Sequence, residues 1–191
     1  MQINVDPEHY ALLRALYQAS VQRQQELTLM GGAKAREGQV WITTLVMPKQ
    51  EGSASFTELV GKPTWMDDLT GLAPVWIHTH PGMGAFWSHQ DQETLDAFAP
   101  PPMTTEAMIW GVSIVLGRDK WLGRVSVWQP FEMVIEPVAV CMEPGPGSLP
   151  LAMEWIKAQV QKQVSWYVWK APKGGYGKWQ NWGKDMWGRY E

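Results

Sequence analysis

Apolar residues recur at helical spacing in two segments, one near each end of the chain. The first segment follows Asp6-Pro7, a combination typical of a helix start, because Asp accepts a hydrogen bond at the N-cap and Pro suits the first helical position. Its apolar positions are Tyr10, Leu13, Leu16, Tyr17 and Val21, which predict a helix ending near residue 24. The second segment has Ala152, Trp155, Ile156, Val160, Val164 and Tyr167 and predicts a C-terminal helix within 148–169.

Between these helices, short apolar runs bounded by Gly, Pro and charged residues predict β-strands. The runs lie at 25–33, 40–47, 53–60, 75–80, 108–116, 121–128 and 131–140. A short helix is predicted over 88–98, before three consecutive prolines, and the stretch 61–73 is predicted to be a loop. This order of elements predicts an α/β fold in which helices cover a mixed sheet.

Length and composition favour one globular domain with an extension. The chain has 191 residues, of which 45% are hydrophobic and 18% charged. We assign 1–147 to the main domain, with a Gly/Pro linker at 143–147, then the C-terminal helix 148–169 and a Trp/Gly/Lys-rich tail over 170–191. The net charge of −3 provides no general attraction to nucleic acid or to an anionic membrane.

Cysteine usage and hydropathy bear on location. Cys141 is the single cysteine, so there is no internal disulfide and a reducing compartment is expected. The N-terminus lacks a secretory signal pattern, and no apolar run approaches the ~18 residues of a membrane span. The expectation is a soluble, cytoplasmic protein.

The tail interleaves aromatic and basic residues. Trp179, Trp182 and Trp187 lie there among lysines. Such a segment can stack on single-stranded bases, bind a protein partner, or fold back over the domain. Nucleic acid is the least favoured of these three, and the other two are about equally favoured.

The candidate chemistry is concentrated where the apolar run 75–77 gives way to a loop. His78 and His80 are two residues apart, so in a strand both side chains point to the same side. Ser88 and Asp91 follow at the start of the predicted helix, in the spacing of a capping box. Two imidazole nitrogens and one carboxylate oxygen, with a fourth position for water, match a catalytic zinc site.

Other zinc-site patterns fit less well. Zinc fingers need cysteines that this chain lacks, and there is no His-Glu-x-x-His helix. His89 adjoins Ser88 and is interpreted as a solvated residue of the first helical turn.

The arrangement His78-x-His80, seven residues, Ser88, two residues, Asp91 resembles the signature of the JAMM (MPN+/Mov34) metalloproteases. The resemblance is specific over 78–91, looser over about 10–130, and stops beyond residue 140. It implies a cytidine-deaminase-like sheet flanked by helices, with Zn²⁺ held by His78, His80, Asp91 and a water molecule. It also implies an upstream glutamate as general base and the Ser88 hydroxyl as a donor to the oxyanion.

Four glutamates precede the motif, namely Glu26, Glu37, Glu51 and Glu58. In the JAMM family the base follows the first helix and opens a strand that ends near glycine, which favours Glu26. The sequence departs from the family in one respect, because the glycine comes five residues after Glu26 instead of two or three.

The resemblance also implies a substrate, a peptide or isopeptide bond after the glycine tail of a ubiquitin-like protein. Met83, Phe86 and Trp87 would line the channel for that tail, or alternatively pack the loop against the core. Two other functions stay open: a zinc peptidase acting on cell-wall or phage-tail peptides, and a catalytically inactive MPN module that serves as a scaffold or binding partner.

Overall fold

The computed structural model describes residues 1–61, 71–97, 109–142, 145 and 147–167. These residues form ten strands and three helices. In chain order they are β1 (Gln2–Val5), α1 (Pro7–Arg23), β2 (Thr28–Arg36), β3 (Gln39–Val46), β4 (Gln50–Gly52), β5 (Thr57–Leu59), β6 (Ala73–Thr79), α2 (His89–Ala97), β7 (Ile109–Leu116), β8 (Trp121–Gln129), β9 (Met133–Met142), α3 (Leu149–Gln163) and β10 (Val164–Trp166).

Seven strands close into a mixed barrel in the order β1-β3-β2-β6-β7-β8-β9. The prediction of a cytidine-deaminase-like α/β sheet flanked by helices is therefore wrong. The difference comes from β1, a strand of four residues that the sequence pattern did not reveal. β1 pairs in parallel with β3 on one side and with β9 on the other, and so joins two edges that would otherwise be open.

The strands of the barrel separate two apolar clusters. In β6, Val75 and Ile77 belong to the main core, which also contains apolar residues of α1 and α3. Trp76 alternates with them and belongs to a smaller cluster with Met30 of β2 and Leu95 of α2. Because successive side chains of a strand point to opposite faces, α2 lies across β6 from the main core.

The two long helices largely follow the sequence prediction. α1 begins after Asp6, whose Oδ1 accepts a hydrogen bond from the His9 backbone N–H at 2.8 Å. α3 ends at Gln163, earlier than its apolar spacing indicated, because the chain turns extended and forms β10.

A second sheet has the order β10-β4-β5 and is tied to the barrel by a buried glutamine. The Gln50 side chain accepts from the Thr28 N–H at 2.8 Å and donates to the Thr28 carbonyl at 2.9 Å. Its amide therefore pairs with the backbone of β2 as a neighbouring strand would. β4 was not expected from the sequence, and β5 is shorter than the predicted strand over 53–60.

Several predictions fall outside the described residues. These include most of the loop at 61–73, the end of the helix at 98 with the prolines beyond it, most of the linker at 143–147, and the whole tail at 170–191. Within the described residues, no helix has the length and apolar character needed to span a membrane.

Replacing Gln50 by Met should destabilise the fold. Gln50 is fully buried, so the substitution leaves the Thr28 N–H and C=O without these side-chain partners inside the protein. Each orphaned group costs about 1–3 kcal/mol, and we expect urea unfolding to show a loss of that order or larger. The matched control is Gln161→Met at an exposed position of α3, which should change the free energy of unfolding little. Equal stability of the two variants would contradict this role of Gln50.

Candidate metal centre

The carboxyl end of β6 carries the two histidines. His78 and His80 point to the same side of the strand, as their spacing predicted, and that side is opposite the main core. The two residues are only 1% and 2% exposed. The strand geometry continues past the last residue of β6, because the His80 N–H donates to the Leu116 carbonyl at 3.0 Å. β7 therefore fixes the backbone at His80 as well as at His78.

Asp91 reaches the histidines from the first turn of α2. The Ser88 N–H donates to Asp91 Oδ2 at 2.7 Å, and the Asp91 N–H donates to Ser88 Oγ at 3.1 Å. This is the reciprocal capping box that the sequence indicated. The cap fixes the Asp91 carboxylate and also joins Ser88 directly to it.

The donor atoms of these three residues converge. The Nε2 atoms of His78 and His80 lie 3.2 Å apart. Asp91 Oδ1 lies 3.1 Å from His78 Nε2, and Asp91 Oδ2 lies 3.5 Å from His80 Nε2. Ligand atoms about 2.0–2.2 Å from a tetrahedral metal are about 3.4 Å from one another, so these separations fit a shared ion. The buried His78, His80 and Asp91 group can hold a metal ion.

Aromatic rings hold the two imidazoles in place. Trp76 stacks on His78 with centroids 4.3 Å apart, and Phe86 meets His80 edge-on at 4.6 Å. Neither Nδ1 atom has a hydrogen-bond partner among the described residues, so these contacts contribute strongly to ring orientation. Trp76 was not among the site residues predicted from the sequence. Its position two residues before His78 was the available signal, because that spacing puts both rings on one face.

Glu26 lies beside the histidines. Its Oε1 is 3.9 Å from His80 Nε2, and the residue is 5% exposed. The pairing of β2 and β6 extends past Thr28, because the Thr79 N–H donates to the Leu27 carbonyl at 3.1 Å. This extension places Glu26 across from His80.

The other three glutamates are placed differently. Glu37 is in the turn that follows β2. The nine residues of β2 separate it from the end of the strand that pairs with His78. Glu51 and Glu58 are opposite each other in the small sheet. They alternate with Gln50, whose side chain faces β2, and so point to the other side of that sheet. Of the four candidates, Glu26 is the one that the structure brings next to His80 in the candidate metal centre.

The protonation states suit ligation. Burial alone would raise the pKa of Asp91, but hydrogen bonds from His78 and His80 outweigh it and hold that pKa well below its ordinary value. Burial lowers the pKa of His78 more than Asp91 raises it. An ionised carboxylate beside a neutral imidazole is the state that binds a metal. Burial, with the Asp91 charge adding to it, raises the pKa of Glu26 from 4.5 to about 8.

The loop between β6 and α2 is anchored to the end of β7. The Arg118 N–H donates to the Met83 carbonyl at 2.7 Å, and the Met83 N–H donates to the His80 carbonyl at 3.2 Å. Gly117 permits this approach, because a Cβ there would lie 2.2 Å from the Ala85 nitrogen. The loop backbone is therefore fixed close to both histidines.

The three apolar side chains of this loop divide into two groups. Met83 and Phe86 are 39% and 48% exposed, so they border solvent beside the site. Trp87 packs against the cluster of Met30, Trp76 and Leu95. Packing of the loop therefore accounts for Trp87, whereas Met83 and Phe86 are available for contact with a ligand.

Comparisons with known proteins leave the family open. No protein-family model matches the chain, and no curated protein matches it. Among solved structures, the chain is similar to protein DSY2949 from Desulfitobacterium hafniense, with a TM-score of 0.45 and 16% sequence identity. The match covers 75% of this chain and 94% of that one. A similarity this low supports no inference about fold or function.

The buried Glu26 should make the metal-free protein less stable as pH rises towards 8. The unfolded chain releases the Glu26 proton near 4.5, whereas the folded state keeps it to about 8. Within this window the folded state binds more protons, so the free energy of unfolding falls with pH. The useful range is pH 7–8, because the lowered pKa values of His78 and Asp91 act below it.

This pH dependence can be measured by urea unfolding of metal-free protein at pH 7 and pH 8. We expect a decrease of up to roughly 1 kcal/mol per pH unit, and its loss in Glu26→Gln. Glu58→Gln is the matched control because Glu58 is partly exposed in the small sheet. A Glu26→Gln protein that keeps the wild-type slope would contradict the assignment.

Proposed function

We propose that this protein is a zinc-dependent peptidase or isopeptidase. One observation carries the proposal: the donor atoms of His78, His80 and Asp91 converge at separations of 3.1–3.5 Å, and a buried glutamate adjoins them. Three protein ligands with an adjacent acid-base group are typical of catalytic zinc sites, whereas structural zinc sites use four protein ligands.

The choice of zinc rests on the ligand set and on the JAMM signature. Imidazole ligands suit zinc, copper, iron and nickel, so the three residues alone do not select one metal. The combination of two histidines, one aspartate and a nearby glutamate favours zinc because it is the set implied by the JAMM resemblance. The site geometry and the motif support zinc, whereas the sheet flanked by helices that the resemblance implies is not the fold of this chain.

Each residue has a chemical role in this proposal. Zinc, when bound, would lower the pKa of a coordinated water from about 15.7 to about 7 and would polarise the scissile carbonyl. Glu26 accepts a proton from the attacking water and returns it to the leaving amine. A cation beside Glu26 would lower its raised pKa towards neutrality, which suits both transfers.

Ser88 would act as a hydrogen-bond donor. Its Oγ already accepts from the Asp91 N–H, so the hydroxyl proton is free to point elsewhere. A donor aimed at the developing oxyanion typically contributes about 10²–10³ in rate. The capping role and the catalytic role of Ser88 are therefore compatible.

The proposed substrate is the bond after the extended C-terminal tail of a ubiquitin-like protein, and the alternative is a cell-wall or phage-tail peptide. Both substrates are amides and would use the same acid-base residues. The exposed Met83 and Phe86 offer apolar contacts to an extended chain beside the site. Cleavage of a ubiquitin-like fusion protein, compared with cleavage of a peptidoglycan peptide, separates the two.

Purified protein incubated with zinc should contain about one zinc per chain. His80→Ala removes one of three ligands and should lose the metal, as measured by elemental analysis after gel filtration. The matched control is His89→Ala, because the His89 side chain is 91% exposed and contacts Glu93. Wild-type protein that binds no zinc would overturn the hydrolase proposal and favour a binding module.

Glu26→Gln should keep its zinc and lose turnover. The amide preserves shape but cannot accept the proton, so we expect a fall in kcat of at least about 10²-fold. Glu51→Gln serves as the control because Glu51 faces away from the centre. A fully active Glu26→Gln enzyme would show that another group is the base.

A further inference from the structure

A buried cation lies beneath the helix that carries Asp91. Arg124 of β8 is 8% exposed and is on the face of the barrel that α2 covers. It is directly opposite Ser113 of β7. The JAMM-like motif does not include this arginine, and the proposed chemistry gives it no task.

The guanidinium connects three elements. Arg124 Nη1 donates to Gln92 Oε1 of α2 at 2.7 Å, and Nε donates to Ser126 Oγ of β8 at 3.2 Å. Glu136 of β9 supplies a carboxylate, with its Oε2 3.6 Å from Nη1. The shortest of these contacts is the one made to α2.

α2 has few other attachments to the barrel. Among its residues with described side chains, Asp91 and Leu95 are buried. Gln92 is half-buried and contacts Arg124. Leu95 packs against Met30 and Trp76, which fixes the distance of the helix from the barrel. The hydrogen bond to Gln92 lies to one side of that contact and so resists rotation of α2 about its own axis.

We propose that Arg124, acting through Gln92, is a positioning residue that orients the Asp91 carboxylate towards His78 and His80. This inference rests on the proposed metal site. Gln92 directly follows Asp91 in the chain, so a rotation of α2 that breaks the Gln92 contact also moves the third ligand. Partners behind metal ligands typically alter metal affinity by about 10–100-fold.

The cost of burying Arg124 indicates that this residue orients α2 and contributes little to the stability of the fold. Removing a guanidinium from water is expensive, and Glu136, its carboxylate partner among the described residues, has a side chain that is 39% exposed. An apolar side chain of similar length would fill the same space without that desolvation. What the arginine adds is a directed hydrogen bond to α2.

The test measures Zn²⁺ affinity by competition with a chromogenic chelator. We expect Arg124→Met and Gln92→Ala each to weaken Zn²⁺ binding about 10–100-fold. Because both substitutions remove the same contact, the affinity of the double variant should lie within about threefold of that of the weaker single variant. Weaker binding by Arg124→Met would be informative, because removal of the positive charge alone would strengthen binding of a cation. The Co²⁺-loaded variants should also show an altered visible spectrum, which reports the ligand geometry.

Glu136→Gln is the matched control, because Glu136 contacts the same guanidinium but lies on β9. It should bind Zn²⁺ like the wild type. Unchanged affinity and Co²⁺ spectrum in both Arg124→Met and Gln92→Ala would overturn the inference, as would strictly additive losses. If Arg124→Met fails to fold, Gln92→Ala alone decides.

The outcome can be separated from that of the proposed function. Zinc binding that responds to both substitutions, in a protein without peptidase activity, would support the positioning role and reject the peptidase. If all variants cleave the substrate and their zinc affinity is unchanged, the peptidase proposal is supported and the positioning role of Arg124 is rejected. A wild-type chain that binds neither Zn²⁺ nor Co²⁺ would overturn both.

Discussion

The antiparallel pairing of β2 with β6 is the interaction on which the candidate site depends. Thr28 is opposite His78, and the hydrogen bond from Thr79 to Leu27 extends the pairing by another residue. This register puts Glu26 beside His80 on the face opposite the main core. Because the side-chain period of a strand is two, a slip of one residue would turn Glu26 away from the histidines. Apolar residues at 27, 29, 75 and 77 fix that register by packing on the other face.

The site places two carboxyl groups in different electrostatic environments. Each carboxylate oxygen of Asp91 contacts one imidazole, and the Ser88 N–H donates a further hydrogen bond. These contacts lower the pKa of Asp91 by more than burial raises it. Glu26 has one imidazole nitrogen at 3.9 Å, and its burial raises its pKa. The Asp91 carboxylate therefore stays ionised, while the Glu26 carboxyl group can exchange a proton near neutral pH. Pairs of titratable groups pushed apart in this way are characteristic of acid-base sites.

The local parts of this arrangement were predictable from sequence. Asp6-Pro7 marked the start of α1, the His78-x-His80 spacing put both rings on one face, and Ser88-x-x-Asp91 formed the expected capping box. Each depends on residues within one turn or one strand, where periodicity and capping rules apply directly.

The parts that depend on distant contacts were not predictable. β1 is stabilised by pairing with β3 and β9, which lie far along the chain, and its own four residues carry little signal. β4 and β10 are three-residue strands that pair with each other, and the side chains of Gln50 and Gln25 connect them to distant segments. The contact between Arg124 and Gln92 likewise joins residues 32 positions apart. Such tertiary contacts override local propensity.

At the border between the candidate metal centre and solvent, the side chains are freer to move than the backbone. The histidines are almost fully buried, and the loop between β6 and α2 is fixed at Met83 by backbone hydrogen bonds with His80 and Arg118. Phe86 contacts the His80 ring and is still 48% exposed, so its ring lies at the boundary between the site and solvent. Exposed side chains change rotamer within nanoseconds, whereas an anchored loop moves far more slowly. The Phe86 ring can therefore change its conformation while the loop backbone, held at Met83, stays in place.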